Sequence, residues 1–300
     1  MGSILTGTCS WTDKTLLESG WYSDDAANDP EKRLSQYASR FDLVEVDSSY
    51  YSLPNEKTAE LWADRTPPNF TFDVKAFRLL TQHPAEPSSL PKDLRALAPS
   101  GDSAKKRLYL KDLPAEGVDE LWSMYRQSLM PLHSAGKLGV VLFQFPAWFF
   151  PGRDSREYLA TINERLPDYK KAVEFRHGSW LNEKNYDRTV DFLRANNLAY
   201  VSVDEPQGTR NSVPPVAIST SQDVAVVRFH GRRVETWDKP NVSVLERFKY
   251  LYSERELEEW VPRIRELAGE TREVHALMNN CYSDFAVRNA AQLATLLSED

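Results

Sequence analysis

Short β-rich runs alternate along the chain with longer stretches whose apolar residues recur at helical spacing, as in repeated βα units rather than a sandwich or a bundle. The strand-like runs are Ile4 to Ser10, Leu43 to Ser48, Phe70 to Ala76, Gly139 to Phe145, Lys171 to His177, Ala199 to Asp204, Val224 to His230 and Val274 to Asn280. Helical periodicity is found in Glu31 to Arg40, Glu56 to Arg65, Asp119 to His133, Arg156 to Arg165, Tyr186 to Ala195, Glu254 to Leu267 and Ala286 to Leu297. The stretch after the sixth run, PQGTRNSVPPVAISTSQ, is too rich in proline and serine for a good helix and is expected to be a loop. The pattern predicts one (β/α)8 TIM barrel over residues 1–300, a length such barrels routinely occupy as a single domain.

Helix-to-strand connections are brief, whereas Thr81 to Pro114, Pro206 to Gln222 and Gly231 to Leu245 are long. These long segments leave the C-terminal ends of strands, where barrel enzymes build their sites, and the first is a candidate lid.

Side chains alternate across a strand, so taking the apolar set as helix-facing identifies what points to the barrel axis. On this rule Glu45, Asp47, Asp73, Lys75, Glu174, Arg176, Ser202, Asp204, Arg228 and His230 face inward, and Ser10, Gln144 and Asn279 complete a polar ring. Barrel interiors are normally filled by branched apolar residues, and ionised groups inside must be paired. Charge gathered near strand ends therefore points to a site. The plainer alternative is a structural network, such as Glu45 with Lys75 and Glu174 with Arg176.

Arg176 and Arg228 are suited to a carboxylate or phosphate as bidentate forks, and Lys75 as a point charge. Glu174, Lys75, His230 and Asp204 are the candidate catalytic residues, with Glu174 the first choice for acid–base work and Glu45 a further carboxyl that burial could tune. Trp11, Tyr51 and Trp180 fall at strand exits with Tyr50, Trp148, Phe149 and Trp237; such rings either stack on a ligand or plug the barrel top. Arg176, Arg228, Trp11, Glu45, Asp47, Tyr51, Gln144, His177, Trp180 and Asn279 make up the expected substrate-binding set. No multi-histidine set is apparent and no residue is assigned to a metal, although Glu45, Asp47, Glu174 and Asp204 leave an oxygen-bound divalent ion open. No cofactor is evident.

A formal net charge of -7 argues against a non-specific polyanion binder. The start, MGSILTGTCSW, lacks the basic region and apolar run of a signal peptide, and no stretch approaches the length of a membrane span, so a cytoplasmic protein without membrane partners is expected. Cys9 and Cys281 are too few for a disulfide framework, but they fall on the first and last strands, which are neighbours when a barrel closes. GxGxxG, Walker A, GxSxG and HExxH are all absent.

GTCSW at Gly7 to Trp11, EVDSSYY at Glu45 to Tyr51, FTFDVKAF followed by Thr81-Gln82-His83, LGVVLFQFP, EFRHGSW, VRFHGR and MNNCYSDFAVRNA together resemble the YecE-like family, a domain of unknown function, over nearly the whole chain. The resemblance implies a TIM barrel of the xylose-isomerase and endonuclease shape and carries no reaction with it. The family often has Asn-x-Thr-Phe-Tyr where this chain has Asp47-Ser48-Ser49-Tyr50-Tyr51, so a carboxylate replaces an amide at Asp47.

The expectation is an enzyme acting by acid–base chemistry on a small anionic or sugar-like ligand at the C-terminal mouth. One alternative is a barrel that binds or processes nucleic acid, for which Lys105-Lys106-Arg107 and Arg232-Arg233 are the basic pieces. A further alternative is a non-catalytic adaptor. Oligomeric state is not legible in the sequence.

Overall fold

A computed structural model, describing residues 1–99 and 105–299, contains a parallel barrel closed in chain order. Its strands are β1 (Ser3–Thr8), β2 (Leu43–Val46), β3 (Thr71–Lys75), β4 (Leu138–Gln144), β5 (Lys170–Glu174), β6 (Ala199–Asp204), β7 (Val224–Phe229) and β8 (Glu273–Met278). Closure pairs β1 with β8 in continuous register from Ser3↔Glu273 to Thr8↔Met278.

The longer helices are α1 (Pro30–Ala38), α2 (Glu56–Asp64), α3 (Ala115–Ser134), α4 (Arg153–Arg165), α5 (Tyr186–Ala195), α6 (Val261–Glu270) and α7 (Phe285–Ser298). Asp29 starts α1 by accepting the Glu31 and Lys32 amides, with Pro30 in the first turn where its missing N–H costs nothing. Asn55 caps α2 through the Lys57 amide. The expected helix over Glu254 to Leu267 is broken into Glu254–Glu258 and α6. Pro262, in the first turn of α6, has no N–H with which to continue the earlier helix. No helix follows β6, in line with the composition of that segment. The candidate lid, Thr81 to Pro114, follows directly on a short 3-10 turn at Arg78–Thr81, and its residues 100–104 lie outside the described residues. No helix among the described residues is long and apolar enough to cross a membrane.

Alternation holds on β2, β3, β5 and β7, where Val44, Phe72, Val173 and Phe229 are buried in the outer layer and the charged set lies inside. On β6 the expected parity is inverted. Val203 is in register with inward Arg228, and Asp204 with outward Phe229, so Ser202 and Asp204 face the helices and Val201 and Val203 the axis. The rule failed because the barrel interior at β6 is itself apolar, while the outer layer offers Asp204 partners. Arg232 binds its carboxylate at 2.7 Å, the Tyr252 hydroxyl at 2.7 Å and the Trp260 indole N–H at 2.6 Å.

Lower in the barrel, Asp73 and His275 form a buried pair at 2.9 Å, and Asp73 also accepts the Val140 amide. A Cβ on Gly139 would stand 2.2 Å from Asp73 Oδ1, so only glycine leaves room for this pair. Burial opposes the charge on His275, but Asp73 and Glu273 outweigh it and raise its pKa to about 9. Asp73 lies below Lys75 on β3 and His275 below Asn279 after β8, and the pair fills the barrel's interior beneath the mouth.

Candidate functional site

Arg228, wholly buried on β7, is the centre of the upper barrel. Its guanidinium joins Glu45 of β2 at 2.8 Å to Glu174 of β5, with Gln144 Oε1 at 3.4 Å and Cys9 Sγ at 3.5 Å. A buried arginine between two carboxylates is the arrangement that offsets their desolvation. Lys75 binds Asp47 at 2.7 Å rather than Glu45, and Arg176 bridges Glu174 at 3.2 Å and Glu205 at 3.1 Å.

The two carboxyls on Arg228 are shifted in opposite directions. For Glu174, burial works against ionisation, but the guanidinium groups of Arg228 and Arg176 pull its pKa well below the usual carboxylate range. Glu45 has less help: burial dominates over Arg228 and Lys75 and raises it to about 7. Its Oε2 is buried with no hydrogen-bond partner. Glu205 is likewise raised by burial to about 7, against the pull of Arg176.

His230 accepts from the Asn279 amide at Nδ1, 2.8 Å away, which leaves the proton on Nε2. That nitrogen lies 3.3 Å from Glu174 Oε1 without the alignment of a good hydrogen bond. Burial, aided by Arg176 and Arg228, lowers the His230 pKa to about 3, so the ring is neutral.

Above this network opens a cavity of about 490 Å³. Its polar lining includes Glu45, Asp47, Lys75, Gln144, Arg176 and Asn279. Trp11, Tyr50, Tyr51 and Phe248 supply its aromatic part. Trp11 is largely buried edge-on against Trp62 and Phe72, while Tyr51 is exposed at the rim and edge-on to Tyr50. Lys75 Nζ sits 5.0 Å over the Tyr50 ring, a cation–π contact that fixes the ammonium beside Asp47.

Several residues expected to contact ligand have other partners. Arg228 and Glu174 are sealed beneath the cavity by their mutual pairing, so neither is presented to an incoming anion. Asp204 lies on the far side of the strand. Trp180 is wholly buried, stacked on Phe175 with centroids 4.1 Å apart and donating its indole N–H to the Phe149 carbonyl, so it plugs the barrel wall instead of facing a ligand. His177 caps the turn at Gly178–Trp180 and packs edge-on to Phe150, outside the cavity lining. Arg232 is held by Asp204 and Glu259, and Arg233 by Glu246, which removes that pair from any phosphate-binding patch.

The oxygen-rich set of Glu45, Asp47, Glu174 and Asp204 does not converge, because Asp204 is outside and the others face cations. Among the described residues no three His, Cys, Asp or Glu side chains group as a metal would require. Cys9 and Cys281 are both free and both line the cavity. Three lining or adjoining residues escaped the sequence rules: Glu205, one position beyond the inverted strand; Asp13, whose pKa burial raises; and Arg247, at the end of the four-residue helix Val244–Arg247, which is too short to show a period. For Glu205 alone a signal existed, since a one-residue shift of parity on β6 brings it to the mouth.

Comparison with known proteins agrees with this architecture. A family model described as "Protein of unknown function DUF72" matches residues 5–300. The UPF0759 protein YunF of Bacillus subtilis (strain 168) is 31% identical over 285 residues, covering 93% of this chain and 92% of its own. A DUF72 family protein from Thermotoga maritima superposes with a TM-score of 0.77 at 30% identity, covering 99% of this chain and 100% of that one. One from Enterococcus faecalis superposes with a TM-score of 0.77 at 26% identity, covering 99% and 96%.

Proposed function

The chain belongs to the DUF72 family, and from the chemistry of its own barrel mouth we propose that it is an enzyme acting by general acid–base catalysis on a small anionic or sugar-like ligand. The observation that carries this is Glu45. It is wholly buried, is anchored by one oxygen to Arg228, has its other oxygen unpartnered, and lines the cavity with a pKa raised to about 7. A carboxyl balanced between its two forms near neutral pH is what proton transfer requires.

Around Glu45 each remaining group has a distinct task. Arg176 and Lys75 meet the ligand's negative charge, Gln144 and Asn279 offer hydrogen bonds to hydroxyls, and Tyr51 and Trp11 contact its apolar faces. Glu174, held ionised, is a positioning residue: it fixes Arg228 and the neutral His230. The Oε2 atom of Glu45 leaves on the cavity wall an acceptor that the pairing with Arg228 does not use.

The test is a panel of phosphorylated sugars, sugar acids and neutral sugars, screened by thermal shift and then by NMR for conversion. A ligand at 100 times its Kd stabilises by about 2.7 kcal/mol. The expected result is a stabilising ligand that the protein converts and that Glu45→Gln binds without conversion. Conversion unchanged in Glu45→Gln would overturn the assignment.

A further inference from the structure

A second cavity, of about 220 Å³, adjoins the first and shares Gln144, Arg176 and Arg247 with it. Beyond that junction its walls are Trp148, Trp237, Glu205, the segment following β4, and Asn211 with Asp238, whose carboxylate accepts from the Arg210 amide and from Asn211. The two arginines at the junction differ in an informative way. Arg176 is engaged by Glu174 and Glu205 and lies 4.8 Å over the Trp237 ring, which immobilises its guanidinium. Arg247 donates to the Lys239 carbonyl at 3.2 Å, has a buried Nε without a partner, and pairs with no carboxylate among the described residues.

The two tryptophans also differ. One face of Trp237 is covered by Arg176, and the residue is largely buried. Trp148 is 56% exposed, makes a T-shaped contact with His83 at 5.8 Å and lines the second cavity. An exposed indole at a cavity wall is suited to stacking on a flat ligand face.

The geometry points to a bipartite ligand: an organophosphate whose phosphoryl group sits at the junction between Arg247 and Arg176, and whose flat-faced organic arm lies on Trp148 in the second cavity. A fixed guanidinium and a second one lacking a carboxylate make a fork that suits a phosphoryl group better than an uncharged hydroxyl. The flat arm is either an aromatic ring or the apolar face of a pyranose, since both stack on an indole. This deepens the proposed acid–base function by naming the ligand's class, and it rests on that site.

The experiment is calorimetric titration of the full chain with inorganic phosphate, phenyl phosphate and glucose 6-phosphate, in the wild type and in Arg247→Gln, Trp148→Ala and Glu45→Gln. The wild type should bind at least one organic probe about tenfold more tightly than inorganic phosphate, and Trp148→Ala should bind all three alike. Preference for phenyl phosphate identifies an aromatic arm, and preference for the sugar phosphate a pyranose. Arg247→Gln should weaken every probe by about tenfold or more. Equal wild-type affinity for the three probes, no binding at all, or full affinity in Arg247→Gln would overturn the inference. Glu45→Gln should retain probe binding, so loss of conversion there and loss of binding in the other variants report on separate claims.

Discussion

Glu45 rests on Arg228 by one oxygen only: Oε1 accepts from the guanidinium at 2.8 Å, while Oε2 is buried with no partner. The same guanidinium holds Glu174, which has Arg176 in addition. One arginine thus keeps one carboxyl ionised and leaves the other near the midpoint of its titration: each oxygen of Glu174 meets a guanidinium, whereas Glu45 meets one and also faces Asp47 and Glu174.

Removing Arg228 should cost more than a typical point mutation. Arg228→Met leaves two carboxylates in the interior without their common partner, a loss of about 3–5 kcal/mol by analogy with broken buried ion pairs. Denaturant unfolding reads it directly. A loss below about 1 kcal/mol would mean that the carboxylates are hydrated or protonated without the arginine.

Asp204 should behave as a structural residue. Asp204→Asn keeps the shape but weakens contacts to Arg232, Tyr252 and Trp260, and a loss of roughly 2–3 kcal/mol is expected from charged hydrogen bonds of this kind. Ligand affinity of the folded protein should be unchanged. Loss of conversion with full stability would instead restore Asp204 to the chemistry.

The Asp73–His275 pair gives stability a pH dependence with a definite sign. The folded pKa of His275, about 9, lies above its unfolded value, so the pair's contribution is complete below about pH 6.5 and is lost as pH rises through 9. Thermal midpoints should fall between pH 7 and 9.5, and His275→Gln should flatten that slope while lowering the midpoint throughout. An identical slope in the variant would show that His275 is neutral in the folded protein.

Much of this was legible in the chain because alternation and helical periodicity respond to the same buried surface that builds the barrel. Strand parity found Glu45, Lys75, Glu174, Arg176, Arg228 and His230 where one face is apolar and the other charged. It failed at Ala199 to Asp204, where Val201 and Val203 fill the axis and Asp204 finds cation and hydroxyl partners in the outer layer; Glu205 was lost with it. Trp180 misled for a different reason: nearness in sequence to a strand exit does not say which way a short turn folds, and here Phe149 and Phe175 draw the indole inward. Which carboxyl would be paired and which left half-satisfied depends on long-range contacts such as Glu45 to Arg228, and no local pattern encodes them.

The most direct test is a site-resolved titration of Glu45, by difference infrared spectroscopy of the wild type against Glu45→Gln across pH 4 to 9. The protonated-carboxyl band that the variant lacks should vanish with a midpoint near 7. A midpoint below 5 would mean that Arg228 holds Glu45 ionised like Glu174, and the assignment of Glu45 as the acid–base group would be wrong.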